Sequence, residues 1–82
     1  MILVEVYVAA LDEIYDFELD ENVEIVQVTG EICEMLSKKT KEPLSARTGD
    51  FMLCSIDNEE VLAGEKTLYQ SHIRDGSRLI LV

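Results

Sequence analysis

The side chains that could do chemistry in this 82-residue chain are two cysteines, one histidine and seventeen carboxylates. Cys33 and Cys54 form no C-x-x-C motif, and with His72 they make no recognisable zinc site. Because the chain shows no export signal, we expect both thiols to be reduced and buried, as small hydrophobic residues usually are. The sequence therefore predicts neither a metal site nor a disulfide.

The single histidine offers little for catalysis. His72 lies in a polar segment just before Ile73 and is predicted to be an exposed turn residue. A catalytic histidine would need a nucleophile or an acid held by a third group, and no spacing of Ser, Cys and Asp suggests one. Gly64 and Gly76 are isolated, so no phosphate-binding loop is indicated. We expect no enzymatic activity and no cofactor.

The charge of the chain is strongly negative. Seventeen acids against seven bases give a formal net charge of −10, and seven of those acids lie between Asp12 and Glu24. Such a field repels phosphate backbones, so nucleic acid is not an expected partner. Two interpretations of the acidic segment stay open. It is either a solvated surface or a surface that steers a basic partner.

Length and composition predict one globular domain covering residues 1–82. Apolar residues make up 48% and charged residues 29% of the chain. No run approaches the roughly 20 apolar residues that a membrane-spanning helix needs. The opening Met1–Glu5 lacks the basic region of a signal peptide. We therefore expect a cytoplasmic protein without direct membrane insertion.

Apolar periodicity predicts two strands and then a helix. Ile2–Val8 and Ile14–Leu19 alternate with period two and are close enough in sequence to pair as an antiparallel hairpin. A 3.6-residue period follows from about Val23 to Lys39, with side chains for capping offered by Asp20-Glu21-Asn22. Gly30, inside the helix, is interpreted as a point of close approach to the sheet. The predicted inward residues are Ile2, Val4, Val6, Val8, Tyr15, Phe17 and Leu19 on the strands, and Ile25, Val28, Ile32 and Leu36 on the helix.

The rest of the chain predicts a loop over residues 43–50 and three more strands. Pro43 stops the helix. Phe51–Ile56 and Val61–Leu62 read as strands, and a single 3₁₀ turn is expected between Leu68 and Ile73. The apolar ending, residues 79–82, reads as a strand in the middle of the sheet. The predicted fold class is α+β, in ββαβββ order.

That order resembles the ubiquitin-like β-grasp family. The resemblance rests on Thr67-Leu68, Ile73 and Leu79-x-Leu81-Val82 at the end and on Met1-Ile2-Leu3-Val4 at the start. It implies a mixed sheet ordered β2-β1-β5-β3-β4 with one helix packed across one face. Within the family the chain resembles the YukD-type proteins of Gram-positive type VII (WXG-protein) secretion in its length, in its lack of a tail and in the ending formed by Leu68, Ile73, Gly76 and Leu79.

The resemblance also bears on conjugation. Ubiquitin and the related sulfur carriers act through a C-terminal tail ending Gly-Gly, whereas this sequence ends at Leu81-Val82. A chain that ends there is expected not to be conjugated. Two alternatives stay open: a modifier or sulfur carrier whose tail is missing from this sequence, and a structural homodimeric module.

An exposed apolar face is the candidate binding site. If Leu79 and Leu81 face the helix, strand alternation turns Ile80 and Val82 outward. The third strand is predicted to turn Met52, Cys54 and Ile56 inward. Exposed apolar patches on small domains usually bind partners. In ubiquitin the corresponding face of the sheet is the recognition surface, so the resemblance implies that this face binds a partner here. The residues predicted to bind a partner are Leu3, Tyr7, Ile14, Phe51, Leu53, Ile80 and Val82. The expected function is that of a non-conjugating interaction module, an accessory component docked on a cytosolic part of a secretion machine.

Overall fold

The computed structural model describes residues 1–40 and 51–82. The predicted helix stop at Pro43 and the predicted loop over residues 43–50 lie outside these described residues. The elements in chain order are β1 (Ile2–Val8), β2 (Glu13–Leu19), α1 (Ile25–Thr40), β3 (Leu53–Ser55), β4 (Glu60–Val61) and β5 (Arg78–Leu81). The ββαβββ order is confirmed.

The strands form one sheet in the order β2-β1-β5-β3-β4. β1 pairs antiparallel with β2 and parallel with β5, while β3 pairs antiparallel with both β5 and β4. The order implied by the resemblance is therefore the observed one. The closing strand lies at the centre of the sheet, as its uninterrupted apolar run predicts.

The core lies between one face of the sheet and α1. All four residues predicted for the inward stripe of the helix are buried, and so are three of the four predicted on β1. Ile2, the fourth on β1, is partly buried and packs against the same cluster. The buried apolar residues of the described chain are Val4, Val6, Val8, Phe17, Leu19, Ile25, Val28, Ile32, Cys33, Leu36, Leu53, Leu62, Leu68, Ile73, Leu79 and Leu81.

The start of the helix differs from the prediction. The first amides of α1 are satisfied by backbone, because Ile25 N–H donates to the carbonyl of Lys66 at 2.8 Å and Val26 N–H to that of Gly64 at 2.9 Å. Asp20 instead accepts from the amide of Asn22 at 2.9 Å, before the helix begins. The prediction of capping by residues 20–22 is wrong, since a distant loop supplies the acceptors.

The glycine that marks a close approach is also a different one. A Cβ added at Gly30 would meet nothing within 4 Å, so the interpretation of Gly30 as a contact point with the sheet is wrong. A Cβ added at Gly64 would lie 3.3 Å from the Cβ of Val26. Gly64 therefore lets the loop come close enough to bond the helix N-terminus.

The segment before β5 is held by short-range bonds. Thr67 and Gln70 cap each other: the amide of each donates to the side chain of the other, at 3.0 and 3.1 Å. Gly76 has a φ of 87°, and its amide donates to the carbonyl of Leu3 at 2.7 Å. Asp75 Oδ1 accepts from the amide of Leu3 at 2.7 Å. The predicted turn thus attaches the chain to β1 just before β5 starts.

The side chains of the third strand point the opposite way from the prediction. Leu53 is 1% exposed and Ser55 is 2% exposed, while Met52 and Ile56 are exposed. Leu53 lies opposite Leu81 and Ser55 opposite Leu79, which places both on the core side. Ser55 can be buried because its hydroxyl accepts a hydrogen bond from the amide of Asn58 at 3.1 Å. A polar residue with an internal partner thus occupies an inward position.

Candidate protein-binding face

One row of side chains crosses the whole sheet on the face away from the helix. Strand register places Ile14 opposite Tyr7, Tyr7 beside Ile80, Ile80 opposite Cys54, and Cys54 opposite Val61. Because directly paired residues point to the same side of a sheet, these five side chains form a continuous row over all five strands. We call these five residues the apolar row.

The apolar row is accessible at both ends and along its borders. Ile14 and Val61, the end members, are each 60% exposed, and the three residues between them are half-buried. Further exposed apolar residues of the same face are Met52, Ile56 and Val82, which border the row, and Leu3, which lies beyond Glu5 and Asp16. A contiguous apolar surface of this kind on a small domain is typical of a binding site.

Two bordering residues are fixed by backbone pairing. The amide of Met52 donates to the carbonyl of Val82 at 2.8 Å, and the amide of Val82 donates back to Met52 at 2.9 Å. Their side chains therefore share the outward side of the β3–β5 pair, next to Ile80 and Cys54. The pairing extends the apolar surface beyond the row at the end of β5.

The tyrosine of the row has its polar end fixed. The hydroxyl of Tyr7 donates to Asp12 Oδ1 at 2.6 Å. This bond to a carboxylate, with some desolvation, raises the pKa of Tyr7 above its ordinary value. The ring is thus kept neutral and oriented at the surface, and an oriented aromatic ring gives up little entropy when it binds.

Charge on this face is unevenly distributed. The next outward row places Glu5 opposite Asp16 and beside Arg78. Arg78 turns to Asp57, with Nε and Nη2 at 3.0 and 2.9 Å from Oδ1, while its amide donates to Oδ2 at 2.9 Å. These bonds lower the pKa of Asp57. Since Asp57 takes up the arginine, the side of the face formed by β1 and β2 is left acidic.

Five of the seven residues predicted for this face lie on its outward side: Leu3, Tyr7, Ile14, Ile80 and Val82. The prediction was wrong for Leu53, which is core, and for Phe51, which is partly buried and packs against the core. Sequence analysis missed Met52, Ile56 and Val61. Alternation could not have assigned Met52 and Ile56 to this face, because residues 51–54 are apolar at both parities. Val61 lies in a strand of two residues, which is too short to show alternation.

The described chain offers little for other chemistry. Within residues 1–40 and 51–82, no group of three or more His, Cys, Asp and Glu side chains could hold a metal ion. His72 is exposed in a turn, as predicted. Its φ of 63° is a strained backbone conformation that the sequence did not predict. Cys33 is buried as expected, whereas Cys54 is only half-buried and belongs to the apolar row. Among the described residues no helix is long and apolar enough to cross a membrane.

Comparison with known proteins gives a family and a fold. The family described as WXG100 protein secretion system (Wss), protein YukD, matches residues 3–81. No curated protein is significantly similar to the chain in sequence. Among solved structures, the EccD5 ubiquitin-like domain from Mycobacterium xenopi is 21% identical with a TM-score of 0.76, over 99% of this chain and 91% of that one.

Two further structures show how widely the fold is shared. Caldiarchaeum subterraneum ubiquitin is 18% identical with a TM-score of 0.71, over 98% of this chain and 89% of that one. The ubiquitin-like domain of an Arabidopsis thaliana protein is 15% identical with a TM-score of 0.73, over 99% and 74%. At these identities the structures show the ubiquitin-like fold, and nothing about partners follows from them.

Proposed function

Because the chain belongs to the YukD family of the WXG100 protein secretion system, we propose that it acts there as a non-enzymatic ubiquitin-like binding module. It is a cytoplasmic domain that docks on another protein of the secretion system. Its contact surface is the outward face of the sheet, and it needs no cofactor. The proposed contact residues are the five predicted ones that lie on that face, together with Met52, Ile56 and Val61. Phe51 and Leu53 are no longer included.

The observation that carries this proposal is the apolar row. Burying one aliphatic side chain of the row in an interface stabilises a complex by roughly 1.5–3 kcal/mol before the costs of association are subtracted. A few such residues around Ile80 are enough for a specific contact of ordinary size. The acidic side formed by β1 and β2 adds orientation and speeds the encounter with a basic surface.

The test is an apolar-to-glutamate substitution at the centre of the row. Ile80→Glu should abolish co-purification with the cytosolic domains of the secretion system's other components while the fold survives, because it places an unpaired charge in the interface. Tyr69→Glu is the matched control, since Tyr69 is an exposed apolar residue of the turn segment before β5, away from the residues of this face. Leu81→Glu should unfold the domain, because Leu81 is buried.

The outcomes separate the alternatives. If Ile80→Glu folds and still binds every component that the parent binds, the row is not the contact surface. If the parent sediments as a dimer and Ile80→Glu as a monomer, the face serves self-association and the chain is a homodimeric module. If Ile80→Glu unfolds as readily as Leu81→Glu, the side chain is structural.

A further inference from the structure

A second surface lies on the other layer of the domain, where α1 meets the end of β2. A groove of about 490 Å³ separates the helix from the segment 18–23. Its apolar lining comes from Met1, Leu19, Val23 and Met35. Leu19 is buried and Val23 is half-buried against the core, whereas Met1 and Met35 are exposed. The groove therefore has a fixed floor and two accessible, flexible methionines at its sides.

One wall of the groove is a regular stripe of the helix. Glu31, Glu34, Met35 and Lys38 line it, at the i, i+3, i+4 and i+7 spacing that shares one helix face. Seven residues of helix extend about 10 Å along the axis, which is roughly two turns. Rows of side chains at this spacing are the ridges that interdigitate when two helices pack.

The rim of the groove is acidic. Glu18 and Asp20 on one side face Glu31 and Glu34 on the other, against the single lysine of the lining, Lys38. The Nζ of Lys38 lies 3.6 Å from Glu34 Oε1, so this lysine is already taken up by one of the four acids. Among the described residues, no cationic side chain forms an ion pair with the other three. The ammonium of Met1, which also lines the groove, lies 2.9 Å from Oε1 of Glu21. The rim therefore keeps an excess of negative charge around an apolar floor.

We propose that this groove docks an amphipathic basic helix of a partner protein. The apolar stripe of that helix would cover Met35 and Val23, and its lysines or arginines would meet the rim on both sides. A second copy of this chain fits poorly, since it brings its own net charge of −10 toward the same carboxylates. Because the groove lies beside the helix and shares no residue with the apolar row, one domain can hold two partners at once.

The experiment is a titration of the ¹⁵N-labelled protein with a synthetic helical peptide that carries leucines on one face and lysines on the other. We expect chemical-shift changes confined to residues 18–23 and 31–38, and weaker binding at higher ionic strength. Glu31→Lys should weaken binding at least tenfold. Glu65→Lys, the same charge reversal at an exposed turn outside the groove, should change it by less than twofold.

Both the fold and the sheet face need separate controls. Met35→Lys tests the apolar part of the site at a second exposed position, and the dispersion of the amide spectrum shows whether each variant folds. Ile80→Glu should leave the titration unchanged, so failure of the groove and failure of the sheet face are told apart. The proposal is overturned if the shifts fall on Tyr7 and Ile80 instead, if Glu31→Lys or Met35→Lys binds like the parent, or if a peptide with glutamates in place of lysines binds as well.

Discussion

Cys54 lies directly opposite Ile80 across the antiparallel β3–β5 pair, at the middle of the apolar row. A native thiol is therefore built into the surface proposed to bind a partner. The only other cysteine, Cys33, is fully buried in the helix layer. The chain thus carries one reporter on the face and one internal reference away from it.

We predict that iodoacetamide modifies Cys54 in the native protein and leaves Cys33 unmodified until the domain unfolds. Cys33 is 0% exposed, and its burial raises the pKa of its thiol, so both access and thiolate are lacking. Peptide mapping by mass spectrometry over time gives the two rates. Equal rates for the two cysteines would show that α1 opens readily. Cys33 could then not serve as a buried reference. Bound partner should slow the labelling of Cys54 alone.

The two glycines with open space around them should respond in opposite directions to alanine. Gly30→Ala is expected to raise the free energy of unfolding by about 0.5–1 kcal/mol, because alanine loses less chain entropy in a helix interior. Gly76→Ala should lower it by about 1–2 kcal/mol, since a φ of 87° is unfavourable for a residue with a Cβ.

Thermal or urea unfolding of both glycine variants measures the difference. Neither added methyl group meets an atom within 4 Å, so backbone conformation alone separates the two. A loss of stability for Gly30→Ala would mean that the helix contacts something at that position.

Leu79 and Ile80 are neighbours on β5 with opposite roles. We predict that Leu79→Ala lowers the free energy of unfolding by about 2–5 kcal/mol, because it leaves a cavity in the core. Ile80→Ala should cost only about 1 kcal/mol, since its side chain is half-buried at an open surface. Urea denaturation followed by circular dichroism compares the two. Similar losses for both would contradict the assignment of Ile80 to the outward face.

Much of the fold could be read from the sequence, because its long elements carry a clear period. β1 and β2 carry a period of two and α1 keeps its 3.6-residue stripe, so their faces were predicted, and their bounds to within two residues. The sheet order came from the resemblance, since periodicity does not say which strands are neighbours. The central position of the closing strand was predicted correctly. Leu79 to Val82 are apolar on both faces of the strand, and at least one of these faces has to be covered.

The short elements could not be predicted from local pattern. β3 has only three residues. Its orientation depends on the pairing with β5, which is non-local, and on the hydrogen bond from the amide of Asn58 to the hydroxyl of Ser55, which needs a specific geometry. The cap of α1 likewise comes from the carbonyls of Gly64 and Lys66, about forty residues away in sequence. For this reason two residues predicted for the binding face, Phe51 and Leu53, are on the core side instead. Three residues of the face, Met52, Ile56 and Val61, were not predicted.

The ion pair beside the apolar row makes stability depend on pH in a definite direction. Asp57 accepts from the amide and the guanidinium of Arg78, and these bonds lower the pKa of its carboxyl in the folded state. Between the lowered pKa and the unfolded value of about 3.9, the unfolded chain binds more protons than the native one. The stabilisation from Asp57 is therefore fully present above the unfolded value and is lost as the pH falls through the folded one.

We accordingly predict that Asp57→Asn lowers the free energy of unfolding at pH 7, and that its difference from the parent shrinks as the pH falls below about 4. Urea denaturation at a series of pH values measures that difference. Arg78→Gln is the control: in that background the side-chain bonds to Asp57 are gone, so Asp57→Asn should have a smaller and flatter effect. If the difference between Asp57→Asn and the parent instead grows on acidification, the carboxylate is not held ionised by Arg78, and the acidic side of the binding face would need another cause.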